Sequence, residues 1–157
     1  MRIENSFQVP VSREHAWTLL TDVSAVAECL PGAKLTEAGD ERTYRGELGV
    51  KLGPVSMTFL GEMCFTELDP AAGHAVARAT AREGRNRGSA DAVIDFKLVD
   101  EAHGTRVDIV TDLELAGQAA QYGRGAGVLK KISAFMIGRF AQCLRKRLAG
   151  AAADAPG

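Results

Sequence analysis

The sequence predicts an α+β domain: a seven-stranded, curved antiparallel sheet around a long C-terminal helix, with two short helices after the first strand. Three observations support this. Seven segments have the composition and alternation of strands, six of them follow one another through short turns, and the last segment repeats its apolar residues at helical spacing. The length of 157 residues, with 46% apolar and 25% charged residues, is typical of one globular domain.

The N-terminal elements follow from local signals. Apolar and polar residues alternate over Arg2–Val9, which predicts a half-buried strand. Ser12 is a favourable N-cap for a helix that ends near Leu20. A second short helix over 24–29 should end before Pro31, because the residue preceding a proline is disfavoured in the helical conformation.

The middle of the chain is predicted to form six strands joined by glycine-, proline- and aspartate-containing turns, which favours an antiparallel meander. The predicted strands are 33–38, 42–52, 55–68, 74–83, 89–99 and 105–116. Such a sheet must bend to enclose a helix, and Gly46, Gly49 and Gly61 are candidates for the bends.

The last segment, over 127–149, carries apolar residues every four positions from Ile132 to Leu148 and is predicted to be the enclosed helix. No repeat or linker interrupts the chain. We therefore predict a single domain over 1–150 and a flexible tail over 151–157.

Composition and charge exclude several classes of protein. The formal net charge is −1, so no global field attracts the chain to nucleic acid. No apolar run is long enough to span a membrane, and the polar N-terminus lacks a secretory signal, so a cytoplasmic location is expected. Cys29, Cys64 and Cys143 are far apart and odd in number, which favours three buried thiols in a reducing compartment.

Charge is unevenly distributed along the chain. Residues 1–114 carry 12 Lys and Arg against 19 Asp and Glu, whereas residues 115–153 carry seven basic residues and no acid. The basic end of the last helix could contact anionic lipid head groups, or it could simply complement the helix macrodipole.

The predicted strand over 74–83 places four alanines on one face and two arginines on the other. Because arginine prefers water, the alanines should face the helix and leave space for an apolar ligand, unless the helix packs closer onto them. The predicted cavity residues are Leu48, Val50, Met57, Phe59, Met63, Ala77, Ala79, Ala92, Ile94, Phe96, Ile109, Leu113, Ile132, Met136 and Phe140. The methionines among them could form an adaptable lining or ordinary core.

Two arginine-bearing glycine turns, 84–88 and 123–127, are interpreted either as partner contacts or as solvated turns. The second lacks the strand–helix context of a dinucleotide fingerprint. Together with the basic helix end, the predicted partner or membrane contacts are Arg85, Arg87, Arg124, Arg139, Arg145, Lys146 and Arg147.

No catalytic or metal-binding group is predicted. His15, His74 and His103 are far apart in the sequence, and no cysteine–histidine cluster has metal-ligand spacing. Asp91, Asp95 and Lys97 should form a solvated outer stripe, and Tyr44 and Thr111 are the polar candidates inside. No nucleophile–base pair can be assigned.

The order of elements and several motifs resemble the CoxG subunit family of carbon monoxide dehydrogenase, within the SRPBCC or START/Bet v 1-like superfamily of helix-grip folds. The motifs are Cys29-Leu30-Pro31-Gly32, Gly53-Pro54-Val55 before a strand with Phe59 and Gly61, Gly104-Thr105-Arg106-Val107, and the segment 116–123 before the last helix. The resemblance covers roughly residues 1–148.

The resemblance implies a non-catalytic protein that binds an apolar lipid or quinone-like molecule and serves a molybdenum hydroxylase such as CO dehydrogenase. It implies no covalently bound cofactor, and peripheral contact with the inner face of the membrane. Some relatives continue into a hydrophobic anchor, whereas this chain stops nine residues after Leu148, so no permanent anchor is expected.

Two other functions stay open from the sequence. One is an assembly or recruitment partner with a filled core, whose enzyme binding would survive enlargement of Ala77. The other is a cyclase or hydrolase of the same superfamily, which would need acid and base groups in the cavity.

Overall fold

The computed structural model describes residues 1–38, 43–52, 54–124 and 127–154. A single antiparallel sheet has the strand order β1-β7-β6-β5-β4-β3-β2. Its strands are β1 (Arg2–Val9), β2 (Ala33–Ala38), β3 (Thr43–Leu52), β4 (Val55–Asp69), β5 (His74–Glu83), β6 (Ser89–Glu101) and β7 (Gly104–Ala116). The predicted seven-stranded meander is confirmed, with bounds that differ by at most two residues in the described part of the chain.

In the part of the chain that the structure describes, the sheet is accompanied by the helices α1 (Arg13–Leu20), α2 (Val23–Cys29), α3 (Gln118–Tyr122) and α4 (Val128–Asp154). Ser12 caps α1 by accepting a hydrogen bond from the backbone N–H of His15, as predicted, and Asp22 caps α2 in the same way. The short helix α3 was not predicted. Helix α4 continues to Asp154, into the segment predicted as a tail, and residues 155–157 lie outside the described residues.

The register of the sheet places the predicted inner residues on one face. Met63 lies opposite Ala79, Ala79 opposite Ala92, and Ala92 opposite Leu113, so one row crosses four strands. The same parity puts Asn5 and Phe7 of β1 on the inner face, and the Phe7 ring meets the Phe140 ring of α4 edge to face at 5.9 Å. The face assignment made from alternation is therefore confirmed.

Two glycines allow the sheet to curl. A side chain at Gly61 would clash with the backbone of β5, since an added Cβ would lie 2.0 Å from the carbonyl oxygen of Thr80. A Cβ at Gly46 would lie 2.6 Å from the carbonyl oxygen of Lys34. Gly46 and Gly61 pair with each other across β3 and β4. Because each lies close to the backbone of its other neighbouring strand, the sheet can bend most sharply at this pair.

One prediction from the sequence is wrong. Cys29 and Cys143, interpreted as separate buried thiols, form a disulfide that joins α2 to α4, and Cys64 is the free thiol. The two cysteines are 114 positions apart in sequence, but the packing of α2 on α4 brings their Cα atoms to 5.4 Å. Cysteine usage therefore does not support the prediction of a reducing compartment.

Helix α4 lies along the edge strand β1 and also approaches β3 and α2. Within the described residues, its backbone approaches the middle strands β4, β5 and β6 less than it approaches β1 and β3.

Candidate functional site

The interior contains two separate clusters of buried apolar side chains. The helical-end cluster lies beneath α1, α2 and the C-terminal half of α4, and includes Phe7, Phe96, Leu98, Phe140 and Leu144. The loop-end cluster is smaller and consists of Leu52, Met57, Phe59 and Ala119, with Leu129 and Ile132 of α4 packed against it. One main core with a smaller satellite cluster beneath the loops is the usual arrangement in a single domain.

A further set of inward-facing residues belongs to neither cluster and is partly exposed. We call the region that they line the central gap. Its residues are Leu48, Ala79, Ala92, Thr111 and Leu113 of the sheet and Met136 of α4. These side chains are less completely buried than those of the two clusters.

Strand β5 shows the change in packing most directly. Ala75 and Ala77 are 0% and 4% exposed, whereas Ala79 and Ala81, on the same face, remain partly exposed. Because the alanine side chain is small, the space in front of it is filled only where a larger neighbouring side chain covers it. Phe96 and Phe65 pair with Ala75 and Ala77, respectively, whereas Ala79 pairs with Ala92 on one side and with Met63 on the other.

The fifteen predicted cavity residues divide among these three regions. Ala77, Phe96 and Phe140 are buried in the helical-end cluster, and Met63, Ile94 and Ile109 pack against it. Met57 and Phe59 are buried in the loop-end cluster, with Val50 and Ile132 against them. The central gap holds the remaining five predicted residues: Leu48, Ala79, Ala92, Leu113 and Met136.

Neutral polar groups also face the interior. The side-chain amide of Asn5 on β1 donates a hydrogen bond to the hydroxyl of Ser133 on α4 at 2.7 Å. Thr111 lies on the inner face between Ile3 and Ile94. The alternation of β1 predicts that Asn5 faces the interior. The sequence does not predict its partner Ser133, because the repeat of a helix does not show which strand the helix contacts.

The loop end is held by a buried ion pair that sequence reasoning missed. The Glu83 carboxylate, whose side chain is 1% exposed, accepts hydrogen bonds from the Arg87 guanidinium at 2.9 and 3.1 Å. This guanidinium and the backbone N–H groups of Arg85, Thr58 and Arg87 lower the pKa of Glu83 to about 2, although burial opposes the shift. The sequence signal for this ion pair is a glutamate and an arginine four residues apart across a tight turn.

Arg87 also joins three separate segments. Its guanidinium donates to the carbonyl oxygen of Ser56 at 2.9 Å, and its own carbonyl oxygen accepts from the N–H of Ala119 at 2.8 Å. Arg87 was predicted as a partner contact, but these bonds assign it to holding the β5–β6 turn against β4 and α3. We therefore remove it from the proposed contact surface.

The other predicted contact residues lie on the surface. Arg85, Arg124, Arg139, Arg145, Lys146 and Arg147 are exposed or partly exposed. Arg145 donates to the carbonyl oxygen of Gln8, and Arg147 pairs with Glu28 of α2. Arg139 lies over the ring of Phe135, an apolar side chain that is 61% exposed on the outer face of α4.

The predicted outer features lie away from the interior. His15 and His103 are exposed, and His74 Nε2 lies 3.0 Å from Asp95 Oδ1 on the outer face of the sheet. Among the described residues, no three His, Cys, Asp or Glu side chains form a group that could hold a metal ion. In that same part of the chain, no helix has both the length and the apolarity needed to cross a bilayer.

Solved structures share this fold across nearly the whole chain. A conserved protein from Geobacillus kaustophilus superposes with a TM-score of 0.81 at 21% identity, covering 96% of this chain and 97% of its own. The Zhui aromatase/cyclase from Streptomyces sp. R1128 gives 0.69 at 16% identity, covering 100% and 98%, respectively. TTHA0849 from Thermus thermophilus gives 0.65 at 15% identity, covering 99% and 100%.

These low identities establish the helix-grip fold and nothing about activity. No curated protein sequence matches the chain. The sequence profile of the CoxG subunit of carbon monoxide dehydrogenase does match, over residues 6–149, which include nearly all of the sheet and most of the enclosed helix. The chain therefore belongs to the CoxG subunit family of carbon monoxide dehydrogenase.

Proposed function

We propose that this chain is a non-catalytic binding protein that carries an apolar lipid or quinone-like molecule in the central gap. It would serve a molybdenum hydroxylase of the CO dehydrogenase type and couple that enzyme to the membrane. The observation that carries the proposal is the partial exposure of apolar residues that face the interior and belong to neither core cluster. Membership of the family supplies the enzyme context.

The lining of the gap suits an apolar ligand. Ala79 and Ala92 give a flat, small wall on the sheet, and Met136 gives a polarizable, adaptable side chain on the helix. An apolar ligand would replace water against these groups, and burying apolar surface is the main favourable term in such binding. Within the described residues, we identify no pair of acid and base groups on these walls, which supports carriage over catalysis.

The test is direct identification of the bound molecule. Protein purified from its native host, or incubated with that host's lipid extract, is extracted with organic solvent and analysed by mass spectrometry. We expect one apolar species at near-stoichiometric yield from the wild type. Repeated extraction that yields no such species would overturn the proposal.

A pair of variants connects the ligand to the gap. Ala79→Phe adds a ring inside the gap, and Thr80→Phe adds the same ring to the outer face of the same strand. We expect Ala79→Phe to abolish ligand recovery and Thr80→Phe to leave it unchanged. Equal recovery from both variants would place the ligand elsewhere. Enzyme binding that persists in Ala79→Phe would instead support the recruitment role.

The outer face of α4 supports peripheral contact with a membrane. Phe135 is exposed beside Arg139, and Lys130 and Lys131 lie one turn towards the N-terminus. An exposed aromatic ring among basic residues suits the boundary between acyl chains and anionic head groups. Flotation with anionic and with zwitterionic lipid vesicles tests this contact. We expect Phe135→Ala to weaken binding to the anionic vesicles and Gln142→Ala to leave it unchanged. Equal binding to both vesicle types would contradict it.

A further inference from the structure

The inner face of the sheet carries almost no charge. Among the inward-facing residues that the structure describes, the charged ones lie at the two ends of the sheet: Glu83 beside Arg87 at the loop end, and Asp100 at the far end of β6, 3.9 Å from Arg13. A ligand carboxylate or phosphate placed in the central gap would therefore lose its hydration and gain no cation in exchange. Burying an unpaired charge in this way is strongly unfavourable.

Three neutral polar side chains border the gap on its β1–β7 side. Ile109 of β7 pairs with Asn5, and Thr111 lies two residues further along the same face, so Asn5 and Thr111 are diagonal neighbours. Ser133 lies over Asn5 and accepts its hydrogen bond, and Met136 of the gap follows Ser133 by one helical turn. Ala79 and Ala92 form the opposite wall, and their row continues through Met63 to Tyr44 of β3.

The hydrogen-bonding capacity of this group is not used up. Asn5 retains its amide oxygen and a second N–H, and Ser133 retains its O–H as a donor. No side-chain hydrogen bond of Thr111 is present in the described part of the chain. Since no buried polar side-chain atom lacks a partner there, the Thr111 hydroxyl is partly accessible.

We infer that Asn5, Thr111 and Ser133 form a polar subsite that selects an uncharged amphiphile and fixes its orientation. A carbonyl, hydroxyl or ether oxygen of the ligand binds at this subsite, and the hydrocarbon part lies against Ala79 and Ala92. The inference rests on the proposed function, since it requires that the gap bind a ligand. It adds the chemical class of that ligand and the residues that choose it.

Three probes of similar shape test the subsite: 2-acetylnaphthalene with a neutral carbonyl, 2-ethylnaphthalene with none, and 2-naphthoate with an anionic group. Affinities for the wild type and variants are measured by titration calorimetry. Thr111→Val removes the hydroxyl and keeps the shape of the side chain. We expect it to weaken binding of the ketone by about 3- to 10-fold, the range of one lost hydrogen bond, and to change the hydrocarbon by less than about twofold.

Controls separate recognition from structural damage. Thr80→Val makes the same substitution on the outer face and should change no affinity. Ser133→Ala, on the helix side of the subsite, should also weaken binding of the ketone. This second variant keeps the test valid if Thr111→Val folds poorly. The naphthoate should bind the wild type at least about 30-fold more weakly than the ketone, because its charge would be buried without a partner.

The outcomes distinguish this inference from the proposed function. Binding of the probes with no loss of ketone preference in Thr111→Val and Ser133→Ala would overturn the polar subsite and leave the apolar carrier standing. Tight binding of the naphthoate would overturn the requirement for an uncharged ligand. Failure of the wild type to bind any of the three probes would overturn the carrier function itself.

Discussion

Ala75 and Ala79 lie on the same face of the same strand, four residues apart, yet Ala75 is fully buried whereas Ala79 remains partly exposed. The difference comes from their neighbours. Phe96 covers Ala75, whereas Ala92 and Met63 flank Ala79. The helical end of the sheet is therefore packed more completely than the central gap, where we propose that the ligand binds.

The comparison extends to the enclosed helix. The C-terminal half of α4 is fixed by a disulfide to α2, by the Phe7–Phe140 ring contact and by Arg145 on the Gln8 carbonyl. Its N-terminal half meets the small loop-end cluster and the Asn5–Ser133 hydrogen bond. The C-terminal half of α4 thus makes most of these fixed contacts, whereas its N-terminal half lies along the proposed ligand region.

The largest expected difference is between two leucines. Leu144→Ala, in the helical-end cluster at 0% exposure, should lower the free energy of unfolding by about 3 to 5 kcal/mol, because it removes apolar contacts and leaves a cavity. Leu113→Ala, beside the gap, should cost no more than about 1.5 kcal/mol, since fewer contacts are lost. Urea unfolding measures both. Equal costs would show that the gap is packed as tightly as the helical end.

The disulfide should have the next largest effect. Cys143→Ala removes the cross-link between α2 and α4 and should lower the free energy of unfolding by about 2 to 4 kcal/mol. Cys64→Ala, at the free cysteine, is the matched control and should cost less than about 1.5 kcal/mol. Dithiothreitol should destabilise the wild type to the level of Cys143→Ala and leave that variant unchanged. A wild type that does not respond to the reductant would contradict the cross-link.

Enlarging the two alanines gives a smaller contrast. Ala75→Leu must displace Phe96 in a filled region, so it should cost about 1 to 3 kcal/mol. Ala79→Leu enters the gap and should change stability by less than about 1 kcal/mol, because overpacking has a cost only where neighbours already fill the space. Thermal unfolding of the two variants compares them directly. A larger loss for Ala79→Leu would mean that the gap is filled by protein side chains.

The last contrast concerns the loop end and depends on pH. The pKa of Glu83 lies at about 2 in the folded protein against 4.5 as its ordinary value, so its ion pair stabilises the fold above pH 4.5 and this contribution is lost as the pH falls towards 2. The stability difference between wild type and Glu83→Gln should therefore be constant above about pH 5 and shrink below it. Unfolding curves measured from about pH 7 to about pH 2.5 provide the test.

Asp108 serves as an internal reference in that experiment. Arg106 lowers the pKa of Asp108 as well, so both proteins carry the same acid dependence from this pair, and it cancels in the difference. A difference that stays constant down to about pH 2.5 would show that the Glu83 carboxylate is not held by Arg87 in solution.

Much of the architecture could be predicted from local patterns. Alternation and turn residues located all seven strands, and the face assignment of Ala75 to Ala81 followed from the two arginines on the other side. The partition of the fifteen inner residues could not be predicted, because it depends on which strand each one meets. Leu48 and Met57 alternate equally well, and only their neighbours decide that one is partly exposed and the other buried.

The sequence by itself determined the order of elements, the inner and outer faces and the family, since these depend on spacing along the chain. Tertiary structure alone decided three further features: the Cys29–Cys143 disulfide, the Glu83–Arg87 pair that joins three segments, and the separation of the core into two clusters. Each depends on contacts between residues far apart in the chain or on the geometry of a turn. Periodicity shows which way a side chain faces, whereas the distance between the curled sheet and the helix decides whether anything fills the space in front of it.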